Sequence, residues 1–414
     1  MSKVHIIGAG LAGLSCATEL TKLGITMAIY ESAPFAGGRC RSFYDKRLDF
    51  EIDNGNHLLF SNNYSTLEYL KLIGSSEKLE EISPASFKFI EPATGKRWIV
   101  SPGLRYFFAK NRVPQTKLYD YFDLLRLWTS LDTDAVGDRV NSSGVLYERL
   151  WQPLCHAVLN TNANNASATL LWKFIKMSFL RGEIDCRPWV FKDSLSKVLI
   201  DPALKFLESK NVKVNFNAPV KKFELEGQRL IRLGFKRDHL PLDPGDLVVL
   251  AVPPKIAKQL HSEIKAPDEF SAIVNIHFKM NKMPLESENS RFIGLIGSKA
   301  QWVFFKDNVL SVTVSDAFQL SLKDNEEIGK EIWAEIKETF NLKSKAVPPF
   351  RVIKEREATI SQTPNGVANR QGLRTNIRNL FVIGDWTQTN LPATIEGSIQ
   401  SGREAAGLIA KTLR

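Results

Sequence analysis

Apolar positions along the first 31 residues change their spacing twice. Residues 3–7, KVHII, form a short run rich in β-branched side chains that stops at Gly8, the pattern of a buried strand. Beyond Gly13 the spacing lengthens: Leu14, Ala17, Leu20 and Leu23 recur as on one face of a helix. Gly24 closes that helix, and ITMAIYE reads as a second strand ending in Glu31. Farther along, KVNFNAPVKKFELEG predicts a pair of short strands, and DLVVLAVPP a buried strand closed by Pro253 and Pro254. Residues 81–195 read as mainly helical, whereas AIVNIHFKM and QWVFFKDNVLSVTVS read as strands. The stretch TLLWKFIKMSFLRGE, residues 169–183, sets Leu170, Leu171, Phe174, Ile175 and Phe179 among Lys173, Lys176 and Arg181. It predicts an amphipathic helix with two readings: a wall over a substrate cavity, or a membrane-facing helix.

The strand–turn–helix–strand unit at the start encloses Gly8-x-Gly10-x-x-Gly13, with an acidic residue roughly 20 positions on. Each residue has a physical task. Gly8 permits the tight turn, Gly10 lets backbone N–H groups approach a pyrophosphate, and Gly13 lets the helix pack on the strand. Glu31 is placed to bind ribose hydroxyls. A dinucleotide is expected here.

Which dinucleotide follows from a resemblance. SAPFAGGRCRS, residues 32–42, lays Gly38, Arg39 and Arg41 directly after Glu31, and the chain ends with NLFVIGDWTQTNLPATIEGSIQSGREAAG. These segments resemble the flavoprotein superfamily of amine oxidases and carotenoid desaturases, which implies FAD. The resemblance implies that Gly384 and Asp385 contact the ribityl and phosphate region. It implies that the helix beginning at Thr394, Ile395 and Glu396 aims its N–H groups at the flavin's N1–C2=O edge, where reduced flavin carries negative charge. It also implies that the strand bearing Val220 passes beside the adenine, and that Gly55 and Asn56 approach the flavin. The implied fold is α/β: a Rossmann-like FAD-binding domain of residues 1–80, 195–260 and 350–414. A substrate domain of residues 81–194 and 261–349, α+β in kind, is interleaved with it.

Composition narrows the rest. A chain of 414 residues with 43% hydrophobic content buries a sizeable core. No run of eighteen or more apolar residues predicts a membrane-spanning helix. With no signal peptide ahead of the first strand, a cytoplasmic protein is expected. Cys16, Cys40, Cys155 and Cys186 form no metal-ligand pattern and read as reduced, so no metal is expected. No cysteine or histidine follows His277, which excludes a covalent flavin link near the C-terminus. The net charge of +10 comes from scattered lysines and arginines without a nucleic-acid motif. Such a basic surface fits peripheral contact with anionic lipid.

A narrower resemblance runs over the whole chain. LDFEIDNGNHLLFSNNYSTLEYLKLIG, LWQPLCHAVLNTNANNASA, CRPWV, APVKKF, IVNIHF and GDWTQTNLPATIEGSIQSG together resemble the hydroxysqualene dehydroxylases of bacterial hopanoid synthesis. The resemblance implies reductive removal of an allylic hydroxyl from hydroxysqualene, giving squalene and water. That chemistry needs an acid for the leaving group, a dry pocket, and an aromatic face for a cation. His57 and Asp53 are the candidate acids, with Asp185 behind them, and Trp386 is the candidate aromatic. Each also has a bland reading: Asp53 as a turn residue, His57 as a satisfied core histidine, Asp185 as a solvated helix end and Trp386 as packing. A carotenoid-type desaturase, an amine oxidase and a non-catalytic flavin-bound lipid carrier remain alternatives. A single glycine fingerprint leaves the reductant as NAD(P)H acting transiently or a redox partner.

Overall fold

The computed structural model describes residues 2–413 apart from 104, 105, 107, 108, 110, 111 and 345. Two sheets organise it. The first is parallel and five-stranded, in the order Val214–Asn215, Met27–Tyr30, Val4–Ile7, Leu247–Leu250, Leu380–Val382. All eight residues of its two central strands are buried, as strands covered on both faces must be. The chain leaves Val4–Ile7 toward one neighbour and later returns on its other side. The carboxyl ends of these strands therefore mark a switch point where α/β sheets bind ligands.

The helices over this sheet explain its glycines. Helix Leu11–Lys22 starts two residues before Gly13, so Gly13 lies within its first turn. A Cβ on Gly13 would stand 2.0 Å from the Gly8 carbonyl oxygen, so only glycine lets helix and turn touch. Gly8 has φ +106°, and its own Cβ would meet the Ala251 carbonyl at 2.3 Å. The long helix Ile395–Thr412 crosses Leu11–Lys22 at Gly402, whose Cβ would lie 2.4 Å from the Ala12 carbonyl.

The second sheet has seven strands, ordered Phe350–Ile360, Phe270–Lys279, Val309–Val314, Trp302–Lys306, Phe292–Leu295, Phe87–Glu91, Lys96–Val100. Two expectations change here. Residues 81–195 are not helical throughout, because the hairpin of Phe87–Glu91 and Lys96–Val100 completes this sheet. Phe350–Ile360, expected with the FAD-binding pieces, pairs instead with Phe270–Lys279. Strand periodicity assigns the two faces. Val303, Phe305, Val274, Ile276 and Phe278 pack beneath helix Asn325–Thr339, while Trp302, Phe304, Ile273, Asn275 and Thr313 turn toward a cavity. Helix Ala168–Met177 buries Leu170, Leu171 and Ile175 and sets Phe174 and Met177 on that cavity. The wall reading of residues 169–183 is thus the one seen. Among the described residues no helix is long and apolar enough to cross a membrane.

His277, in the same strand as Asn275, is buried with Nδ1 2.7 Å from the Ser311 hydroxyl and no partner for Nε2. Burial pushes its imidazole down to about 4. The folded value lies below the unfolded value of about 6.5, so the fold keeps the ring neutral. Its contribution is therefore complete above about pH 6.5 and is lost as pH falls toward 4, about 3 kcal/mol across that window. Urea titrations at pH 7.5 and 4.5 check this, and His277→Asn should shrink the difference by about that amount.

Candidate active site

A cavity of about 830 Å³ begins at the carboxyl ends of the parallel strands and runs beneath the seven-stranded sheet. Its first part is lined by Gly8, Gly10, Glu31, Gly38, Arg39 and Val220. Gly55, Asn56 and His57 follow, with Gly384, Asp385, Trp386, Thr394, Ile395 and Glu396 opposite them. Residues more than 300 positions apart in sequence thus meet in one space. Gly13 lies outside it, as its packing task requires.

Several side chains do something other than the sequence suggests. Val220 lies in the extended segment before the strand that starts at Lys222, and not in a strand. Asp385 is engaged by Arg39, Nη2 to Oδ1 2.5 Å, while Arg39 Nη1 donates to the Ala358 carbonyl at 2.6 Å. Burial opposes the charge on Arg39, but Asp385 outweighs it and holds the guanidinium above its usual range. The Glu31 carboxylate accepts the Ala9 and Ala33 N–H groups at 2.7 and 2.9 Å, tying the glycine turn to the second strand's end.

Glu396 points away from the role its position suggests. Its carboxylate accepts the N–H groups of Ser65 and Thr66 at 2.9 and 2.8 Å and the Thr66 hydroxyl at 2.6 Å. It thereby caps helix Tyr64–Leu72, leaving only its backbone N–H at the start of its own helix. Thr394 caps that helix, accepting from the Gly397 N–H at 3.2 Å. Glu396→Ala strips the acceptor from three donors in a buried corner and should cost about 2–3 kcal/mol in chemical denaturation.

The candidate acids separate. Asp53 is not on the cavity: its carboxylate accepts the Ser42 hydroxyl at 2.6 Å and the Leu195 N–H at 2.8 Å. Burial lifts its carboxyl above the ordinary range, and these two donors offset part of the rise. Asp185, bound by Tyr64 and facing Arg181, also lies outside the cavity. Trp386 is buried with its indole N–H on the Val252 carbonyl at 2.9 Å, so only part of its ring borders the cavity.

His57 is different. Its side chain opens onto the cavity, and among the described residues no side chain or backbone group bonds it. Burial, with repulsion from Arg39 added, lowers its imidazole to about 4. It is therefore neutral at pH 7.

Reading the sequence alone overlooks the polar cluster opposite His57. Asn56 Nδ2 donates to the Thr313 hydroxyl at 2.9 Å, and that hydroxyl donates to Asn275 Oδ1 at 2.8 Å. Asn275 and Thr313 are cross-strand partners, and each is a polar residue set between apolar neighbours on its strand. That interruption was the available signal. His156, also on the cavity, accepts from Gln152 Nε2 at 2.7 Å. Beyond this cluster the cavity becomes apolar, walled by Phe60, Phe87, Phe89, Phe174, Trp302 and Phe304.

Gly10 tests whether a dinucleotide fits. A Cβ on Gly10 would meet nothing within 4 Å, so the position adjoins open space shaped for a group that must approach the backbone. Together with Gly8, Gly38 at φ +59° and two helix N-termini, the residues present suit FAD.

Comparison with known proteins agrees. The family model for flavin-containing amine oxidoreductases matches residues 11–410. A hydroxysqualene dehydroxylase from Rhodopseudomonas palustris is 41% identical over 99% of both chains. A zeta-carotene desaturase from Zea mays is more distant, 23% identical over 98% of this chain and 83% of its own. The solved structure of putrescine oxidase bound to putrescine superimposes with a TM-score of 0.71, at 16% identity, over 99% of this chain and 98% of its own. That likeness shows the shared fold. The cofactor is FAD, and the protein is an oxidoreductase. This chain belongs to the flavin-containing amine oxidoreductase family and, within it, to the hydroxysqualene dehydroxylases.

Proposed function

We propose that the protein reductively removes the allylic hydroxyl of hydroxysqualene, releasing squalene and water. The observation that carries this reading is the cavity itself. A dinucleotide seat opens into a long aromatic and aliphatic arm, and the polar groups between them gather in one small cluster. That arrangement suits a hydrocarbon with a single hydroxyl. Family membership favours this reaction over desaturation.

The glycines at 8, 10 and 38, the first turn of helix Leu11–Lys22 and the backbone N–H groups at Ile395 and Glu396 would hold FAD. Reduced FAD bound there supplies hydride. In the reaction the allylic C–O bond breaks, hydride forms the new C–H bond, and the departing oxygen takes a proton to leave as water. The aromatic walls exclude water and face the cation that forms as the C–O bond lengthens. Asn56 and His57 hold the hydroxyl, and His57 is the group placed to pass it a proton. Electrons reach the flavin from NAD(P)H acting transiently or from a redox partner.

An anaerobic single turnover tests the proposal. Dithionite-reduced protein mixed with hydroxysqualene should reoxidise its flavin in step with squalene formation. A flavin that stays reduced, in a protein whose oxidised form is bleached by phytoene, would establish desaturation instead.

A further inference from the structure

Most of the large apolar side chains in this protein are buried, but residues 117–131 depart from that pattern. The segment folds as two short consecutive helices, Leu118–Phe122 and Asp123–Trp128. Leu118, Tyr119, Phe122, Leu125, Trp128 and Leu131 are each between 53% and 66% exposed. Tyr119, Phe122, Leu125 and Trp128 recur every three residues along the two helices, with Leu118 and Leu131 at the ends of the run. The other face is anchored: Tyr121 and Leu127 are buried in the same core cluster as Phe89, Leu150 and Phe179, which line the cavity. The outward patch is thus mounted on the outside of the cavity's wall.

Within 117–131 the exposed charged side chains are Lys117 and Arg126, and Arg126 Nη1 lies 3.4 Å from the buried Asp123 carboxylate. Asp123 is buried against the Trp151 indole N–H, and Asp120 is half-buried and accepts the Lys117 N–H. Lys117 Nζ lies 5.4 Å over the Tyr119 ring. The first exposed acid, Asp132, comes after the patch ends. An apolar face carrying Trp and Tyr, bordered by exposed lysine and arginine on a chain of net charge +10, matches an anionic bilayer interface.

We propose that this face docks the protein on an anionic lipid surface, with Phe122, Leu125 and Trp128 entering the headgroup–acyl boundary. Docking itself follows from the patch. Its use, to take a water-insoluble hydrocarbon from the bilayer, rests on the proposed function. Residues 169–183, the segment whose composition first suggested membrane contact, form the wall behind this face.

The test is flotation of the full-length holoprotein with vesicles of phosphatidylcholine alone or mixed with phosphatidylglycerol. The wild type should float with the mixed vesicles and less well as salt rises. The exposed-site double variant F122S/W128S should keep its flavin and circular dichroism yet bind roughly tenfold or more weakly. Failure of the wild type to float, or equal flotation of the variant, overturns the proposal. So does a wild-type dimer, seen in sedimentation, that the same substitutions dissolve while vesicle binding stays absent, because the patch then joins two copies. Flotation uses no substrate, so its outcome is separate from that of the hydroxysqualene turnover.

Discussion

Replacing His57 by glutamine should leave a fully FAD-loaded protein whose flavin reoxidation by hydroxysqualene is about 10²–10⁴-fold slower in single turnover, the usual range for a lost proton-transfer group. The fold should survive, because no side chain or backbone group depends on a bond to this imidazole. The pH dependence separates a proton donor from a mere contact. With the imidazole lowered to about 4, its protonated fraction rises as pH falls from 8 to 5. The wild-type rate should rise with it, about tenfold per unit. Glutamine can still hydrogen-bond the hydroxyl but cannot titrate, so the variant's rate should be flat. A wild-type profile independent of pH would remove His57 as the donor and leave the role to a neighbouring group such as His156.

The second large effect concerns Gly10. Gly10→Val should fold and fail to hold FAD. The backbone there has φ −73°, which valine adopts readily, and the added Cβ meets no protein atom within 4 Å. Only a poorer helix cap opposes the change, costing about 1 kcal/mol. The branched side chain instead fills the space where a pyrophosphate must approach the backbone, and FAD affinity should drop on the order of a hundredfold or more. Titration of the apoprotein by flavin fluorescence measures the loss, and thermal unfolding of both apoproteins checks the fold. Gly13→Val serves as the contrast. There the Cβ would collide with the Gly8 carbonyl at 2.0 Å, so the apoprotein itself should be destabilised. Equal behaviour of the two variants would show that Gly10 is only a packing position.

Sequence and structure divide the site in an orderly way. The glycine turn, the Gly38–Arg39 segment, residues 55–57 and the Gly384–Asp385 turn with its following helix were all legible before any fold was known. The glycine turn was legible from local backbone demands, and the other runs through their resemblance to the flavoprotein family. The structure brings these runs to one cavity. Asp53 misled because its neighbours do reach the cavity. In a strand, however, adjacent side chains point to opposite faces, and Asp53 turns to Ser42 and Leu195. Phe350–Ile360, expected among the FAD-binding pieces, pairs with Phe270–Lys279, because strand character is local but the choice of partner strand is not.

By itself, then, the sequence determined a dinucleotide-binding α/β fold, its flavin segments and an apolar partner domain. Periodicity and backbone permissiveness carry the dinucleotide turn and the strands and helices within each segment, and resemblance to the family carries the flavin assignment. Tertiary structure alone decided how the charges are used. Arg39 meets Asp385 across 346 positions, and Glu396 caps a helix 330 positions away. Asn275 and Thr313 share a proton network because strand register sets them opposite each other. His57 is left neutral because burial and the nearby Arg39 both disfavour its charged form. Side-chain partners and protonation depend on which distant atoms packing brings within a few ångströms, and no local pattern encodes that.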